Sequence, residues 1–233
     1  MPIVTEVQPV WRLDQGIIGA YRLSRRMPTR PACLNEAEQE AVGHVMLDAL
    51  LPILEQYRRE GGVFALILPG LFANCSARRP RLKLIGRCTA FAAIMKKAVI
   101  LEMEAPGTGA PTGRIGETAA MMKPFFHRLT LEVADAWQAD VGMREHGFHV
   151  LSLDASRLPP GSTKMDMLVR TARRRTANVM VHGLASVEDP DRWRALGASH
   201  LTFRDAGVGP GLEPRPDASG RASSGAGALP ATV

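Results

Sequence analysis

The chain has 233 residues, 45% of them hydrophobic and 22% charged, with a formal net charge of +6, a mean hydropathy of -0.04 and an isoelectric point near 9.7. That length suits one barrel-sized domain with a sizeable core, and the longest apolar run, Val63 to Leu68, falls far short of the roughly 20 residues a membrane span needs. The N-terminus lacks a charged segment followed by an apolar one, and Cys33, Cys75 and Cys88 form no C-x-x-C pair, so the expectation is a soluble, cytoplasmic protein whose three thiols are reduced and buried as small hydrophobes.

Two strands open the chain, Thr5 to Leu13 and Ile17 to Arg25, joined by the short hairpin turn Asp14-Gln15-Gly16. Asn35 then caps an amphipathic helix running to about Glu60, which Gly61-Gly62 stops and which Pro52 is expected to kink or divide. From there strand and helix patterns alternate. Strands are predicted over Val63 to Leu68, Val99 to Met103, Arg128 to Val133, His149 to Leu153, Asn178 to Val181 and His200 to Phe203. Helices are predicted over Leu82 to Lys97, Ile115 to Met122, Ala136 to His146, Ser162 to Arg175 and Glu188 to Leu196. Eight strands in this order predict a TIM-like (β/α)8 barrel with an antiparallel first strand, the alternative being an open doubly wound sheet. Met121, Met122, Met165, Met167 and Met180 are read as gap-filling core residues. After Asp205 the composition turns to Gly, Pro, Ala and Ser, which cannot bury enough surface to fold, so residues 206–233 are expected to be a disordered tail behind a 1–205 domain.

Four apolar segments end on one ionisable residue each: Glu102, Glu132, Asp154 and His182. Polar residues at the C-terminal ends of barrel strands are where such folds keep their sites, so a pocket is expected there. The arginine runs Arg25-Arg26, Arg78-Arg79-Pro-Arg81 and Arg173-Arg174-Arg175 are read as solvated faces that also favour an acidic partner. No aromatic side chains interleave them, so a nucleic-acid partner is not expected.

Gln8-Pro9-Val10 followed by a Gly turn and Tyr21, then Val99-Ile-Leu-Glu102, Val150-Leu-Ser-Leu-Asp154, Val179-Met-Val-His182-Gly183 and Val187-Glu-Asp-Pro-Asp-Arg-Trp-Arg-Ala-Leu-Gly197, resemble in order and spacing the EAL domain, the cyclic di-GMP phosphodiesterase barrel of bacteria. The resemblance covers Val4 to Asp205. It implies a pair of Mg or Mn ions held by carboxylates and an amide, with a water activated between them. The family's ligand positions have changed in this chain. Its Glu-Ala-Leu falls on Arg22-Leu23-Ser24, its Asn on Ile67, its Asp-Asp on Glu132-Val133, and its Lys-x-Asp on Ser152 and Asp154. The loop-six glutamates fall on His182 and Ala185, and its Gln-Gly on Thr202-Phe203. Glu102 and Asp154 match outright and Glu132 is a conservative replacement, too few oxygen donors for two hard cations.

The resemblance therefore implies a degenerate member with no catalytic residue, no metal and no cofactor. Arg22, Glu102, Glu132, Asp154 and His182 are read as a vestigial pocket, with Arg22, if inward, pairing with Glu102 or Glu132. Gln8 and Arg26, or Arg25 in its place, match positions that contact the cyclic dinucleotide in family members, and Ile67, Val133 and Phe203 replace polar residues of that face. The expected function is a non-catalytic regulator acting through contact with a protein partner. The alternatives are a non-hydrolysing sensor of cyclic di-GMP or another anion, an active phosphodiesterase, a different barrel enzyme using Glu102, Glu132 and His182 for acid-base work, and a re-purposed Zn or Fe site at Glu102, Glu132, Asp154 and His182. Family members often dimerise through barrel helices, so the resemblance also allows a homodimer.

Overall fold

In the computed structural model, residues 3–27, 33–60, 64–104, 110–140, 147–159, 161–185 and 189–204 are described. The predicted tail at 206–233, the Gly61-Gly62 stop, Glu188 and residues 141–146 of the predicted fourth helix lie outside them.

β1 (Val4–Arg12) and β2 (Ile17–Arg26) form the expected antiparallel hairpin, closed at Gly16, whose φ of 65° a residue with a Cβ resists. β3 (Ala65–Leu71), β4 (Val99–Glu104), β5 (Arg128–Glu132), β6 (Phe148–Asp154), β7 (Val179–Leu184) and β8 (His200–Phe203) follow in order round a closed barrel. β1 pairs antiparallel with both β2 and β8, and the other neighbours pair in parallel. The open doubly wound sheet is thereby excluded. Because β1 runs against the rest, Gln8 stands opposite Arg22 and Glu6 opposite Ser24, so the start of β1 reaches the end of the barrel where the other strands finish.

α1 (Glu36–Glu60) begins on a capping box: Asn35 Oδ1 accepts from Glu38 N at 3.0 Å and Glu38 Oε2 accepts from Asn35 N at 2.9 Å. Pro52 does not divide it. That residue and Asp48, whose carbonyl loses its intrahelical donor, are both exposed, which leaves the freed group open to solvent. The helix predicted over Leu82 to Lys97 is instead α3 (Arg78–Cys88) and α4 (Ala92–Ala98), parted by a 3-10 turn where the Thr89 hydroxyl donates to Ile85 O at 3.1 Å. α2 (Phe72–Ser76) precedes them, unforeseen. α5 (Thr112–Met122), α6 (Ala136–Asp140), α7 (Thr163–Arg175) and α8 (Pro190–Leu196) take the remaining helical segments.

Strand alternation divides the buried residues in two. Leu66, Leu68, Leu101, Met103, Leu129, Leu131, Leu151, Val179, Val181 and Leu201 face the helices and join Leu47, Leu50, Leu54, Ile115, Met122 and Leu168 in the main core. Inside the barrel a small plug of Val10, Ala20, Ile67 and Met180 fills the floor, flanked by Ala65, Ile100 and Val150. Val133 and Phe203 pack with the helix-facing core, so they do not replace polar residues of a binding face as the sequence reading supposed. Met121 and Met167 are 39% and 52% exposed, unlike the buried Met122, Met165 and Met180. Each lies on the solvent side of an amphipathic helix. Cys33 is exposed while Cys75 and Cys88 are buried. Burial pushes the Cys75 thiol up to about 12 and that of Cys88 up to about 11, which makes both inert near neutral pH.

Candidate functional site

Above the apolar plug, the same inward-pointing alternation puts a polar layer in the barrel. Arg22 comes from β2, Glu102 from β4, Thr130 and Glu132 from β5, Ser152 from β6, His182 from β7 and Thr202 from β8, and all are buried. Every residue of the expected vestigial pocket is brought together here.

Arg22 points inward, and its Nε donates to Glu102 Oε2 at 2.7 Å. Glu102 Oε1 is left facing His182 Nε2 at 3.7 Å, and Glu132 Oε2 faces that same nitrogen at 3.4 Å. Arg157, in the 3-10 turn after β6, pairs with Glu132 Oε1 and, through Nε, with Asp154 Oδ2 at 3.2 Å. Asp154 Oδ1 accepts from Ser156 N at 2.9 Å and Ser156 Oγ at 2.6 Å, and lies 3.9 Å from His182 Nδ1. Gly183, at φ 73°, lets the strand end pass close by: a Cβ there would meet Asp154 Oδ1 at 2.9 Å. Arg25 makes a buried pair with Glu104, so that half of the Arg25-Arg26 run is no solvated face. Arg173, Arg174 and Arg175 are exposed, at the carboxyl end of α7 where the helix dipole favours cations.

Three guanidiniums and one imidazole thus meet four carboxylates. Burial opposes the Arg22 charge, but Glu102, Glu132 and Glu104 outweigh it and hold the guanidinium above its ordinary range. His182 follows the same pattern. Burial and Arg22 work against its proton, yet Glu102, Glu132 and Asp154 prevail and raise its pKa. Burial would raise the Asp154 carboxyl, but His182, Ser156 and Arg157 bring it down to about 2.

Donor counting decides what this layer can hold. Arg22 occupies one oxygen of Glu102, Arg157 one of Glu132, and Ser156 and Arg157 between them both of Asp154. Two Mg or Mn ions in near-octahedral cages need many oxygen ligands at once, and this donor set does not fit them. Among the described residues, the atoms that converge are one oxygen each of Glu102 and Glu132 and one nitrogen of His182, all within 4.8 Å of one another.

The resemblance also implies a nucleotide-contacting role for Gln8 and Arg26, or Arg25 in its place. The structure places Gln8 and Arg26 at the mouth, where Gln8 Nε2 donates to Glu6 Oε1 at 2.8 Å and to Arg204 O at 3.2 Å, and Arg26 Nη2 donates to the same carbonyl at 2.8 Å and to Glu6 at 3.2 Å. A small groove opens on the flank between α1 and α3, lined by Arg25, Glu40, His44, Gly70, Cys75 and Lys83.

No protein-family model matches the chain, and no curated protein matches it. Solved structures do. The EAL domain of Xanthomonas citri FimX, solved in complex with c-diGMP, aligns over 91% of each chain with 14% identity and a TM-score of 0.61. The fold is that of EAL domains. An EAL domain protein from Listeria monocytogenes covers 86% of this chain and 85% of its own at 12% identity and a TM-score of 0.56. Bacillus subtilis YkuI, solved with substrate c-di-GMP and calcium, covers 85% of this chain at 11% identity and a TM-score of 0.59, and this chain spans 53% of its length. Likeness at these identities is one of architecture. No helix among the described residues is long and apolar enough to cross a membrane.

Glu104 and Arg157 went unnoticed in the sequence. Glu104 carried a signal, since it repeats the inward parity of Glu102 two residues on. Arg157 carried half of one, its i, i+3 spacing from Asp154, while its pairing with Glu132 depends on β5 and β6 being neighbours.

Proposed function

We propose that this EAL-like barrel is a non-catalytic regulatory protein of the cytoplasm, acting through contact with a protein partner and not by cleaving cyclic di-GMP. The observation that carries this reading is the buried Arg22–Glu102 pair at 2.7 Å: a fixed cation takes one oxygen of a carboxylate that a pair of hard divalent ions would need, which leaves too few oxygen donors for two of them. Arg157 acts likewise on Glu132 and Asp154. Outside the barrel, Arg78 and Arg79 lie exposed at the start of α3 beside the 55% exposed Leu82, a basic and partly apolar face suited to fast encounter with an acidic protein.

The deciding experiment is a hydrolysis assay with pure protein, cyclic di-GMP and added Mg or Mn. No linear product is expected, and a rate that disappears on Glu102→Ala would overturn the reading. Affinity capture from the native cell should enrich a protein that rebinds the pure barrel and is released by Arg78→Glu/Arg79→Glu and by salt. A second reading, a sensor that binds cyclic di-GMP without hydrolysis, draws on Gln8 and Arg26 standing side by side and on the c-diGMP bound to the FimX domain. In this chain both side chains already donate to Glu6 and to the Arg204 carbonyl, which ranks that reading second. Calorimetry with the dinucleotide, with and without metal, separates the two.

A further inference from the structure

We propose that Glu102, Glu132 and His182 form a mononuclear site for a borderline transition-metal ion such as Zn2+, bound by Glu102 Oε1, Glu132 Oε2 and His182 Nε2 from three different strands. This goes beyond the reading of a silent regulator and does not rest on it. The donor arithmetic that excludes a pair of hard ions leaves these three atoms. All three residues are at most 4% exposed, and Glu102 Oε1 and His182 Nε2 are buried without any hydrogen-bond partner. An unpartnered carboxylate oxygen aimed at an unpartnered imidazole nitrogen is costly unless something between them satisfies both.

The spacing suits one ion. His182 Nε2 lies 3.4 Å from Glu132 Oε2 and 3.7 Å from Glu102 Oε1, long for hydrogen bonds but close to the roughly 3.3 Å that separates neighbouring ligands of a tetrahedral zinc with bonds near 2.0 Å. The surroundings suit it too. Arg22 and Arg157 hold the far oxygens of the two glutamates, and Asp154 lies on the Nδ1 side of His182 at 3.9 Å, the arrangement in which outer carboxylates and cations orient the ligands of a metal. One imidazole and two carboxylates leave a fourth position for water or an anion, and favour zinc over the all-oxygen cages that magnesium requires.

The test uses the full chain, stripped with chelator and dialysed, then titrated with zinc chloride by calorimetry and elemental analysis and with cobalt(II) by visible absorption. One zinc per chain is expected, with the intense cobalt bands of a low-coordinate site. Uptake should be lost in His182→Ala and weakened tenfold or more in Glu132→Gln, while His200→Ala, at a histidine outside the site, retains it. If His182→Ala fails to fold, Arg157→Ala serves instead, with zinc affinity reduced about 10- to 100-fold and a shifted cobalt spectrum. No stoichiometric uptake, uptake unchanged in these variants, or two manganese ions per chain would overturn the proposal. None of those zinc results alters the hydrolysis assay above, so the two readings fail separately.

Discussion

Arg22 and Glu102 share one ion pair in which both side chains are buried, and the energetics of such pairs are asymmetric. Keeping both is close to neutral against an apolar alternative, whereas removing one strands a charge in the interior. Arg22→Ala should therefore destabilise the fold by about 3–5 kcal/mol, measured by denaturant unfolding; a change near zero would mean that Glu102 is not held by this pair. Asp154 yields a pH prediction. Its carboxyl titrates at about 2 in the fold, against about 3.9 for an unperturbed aspartate. The unfolded chain binds the proton first on acidification, so a stabilisation of about 2 kcal/mol is fully present above about pH 4 and is lost as the pH falls through about 2. The stability gap between the parent and Asp154→Asn should narrow over that window. His182 carries the opposite sign: its raised pKa gives stability that is present at low pH and lost as the pH rises through the elevated value.

At the scale of elements, the strand ends set the site, and Gly183 is the clearest case. It has φ 73° directly after His182, and any Cβ would press on Asp154. Gly183→Ala should cost about 1–2 kcal/mol for the left-handed backbone alone, with more from the displaced carboxylate; thermal unfolding at neutral pH is the check, and an unchanged midpoint would count against the described turn. The elements themselves were legible where periodicity is strong. The first two strands were expected from their hairpin turn, the other six from the strand–helix alternation, and the Asn35 start of α1 from its capping pattern. The break between α3 and α4 was not, because it comes from a threonine hydroxyl that bonds back to Ile85 and from no proline or glycine cluster. Pro52 does not divide α1, because a proline on the exposed face leaves the carbonyl it frees open to solvent.

On the scale of the whole molecule, the larger core lies between the strands and the helices, not inside the barrel. Leu101→Ala, at a fully buried helix-facing position, should cost about 2–5 kcal/mol, whereas Leu82→Ala, on the exposed face of α3, should stay within about 0.5 kcal/mol. Comparable losses at both positions, read by denaturant titration, would contradict this layering. The alternation of strand and helix, the antiparallel hairpin and the identity of the residues at the strand ends were all determined by the sequence, because hydrophobic period and turn chemistry act over a few residues. Only the tertiary structure decided which charge meets which. Arg22 finds Glu102 across 80 positions of chain, and Arg157 finds Glu132 from the neighbouring strand, since closing the sheet sets the distances between inward side chains that no local pattern encodes. The same closure brought His182 and two glutamates, expected from their strand-end positions to share a pocket, within 4.8 Å of one another as one group of donors.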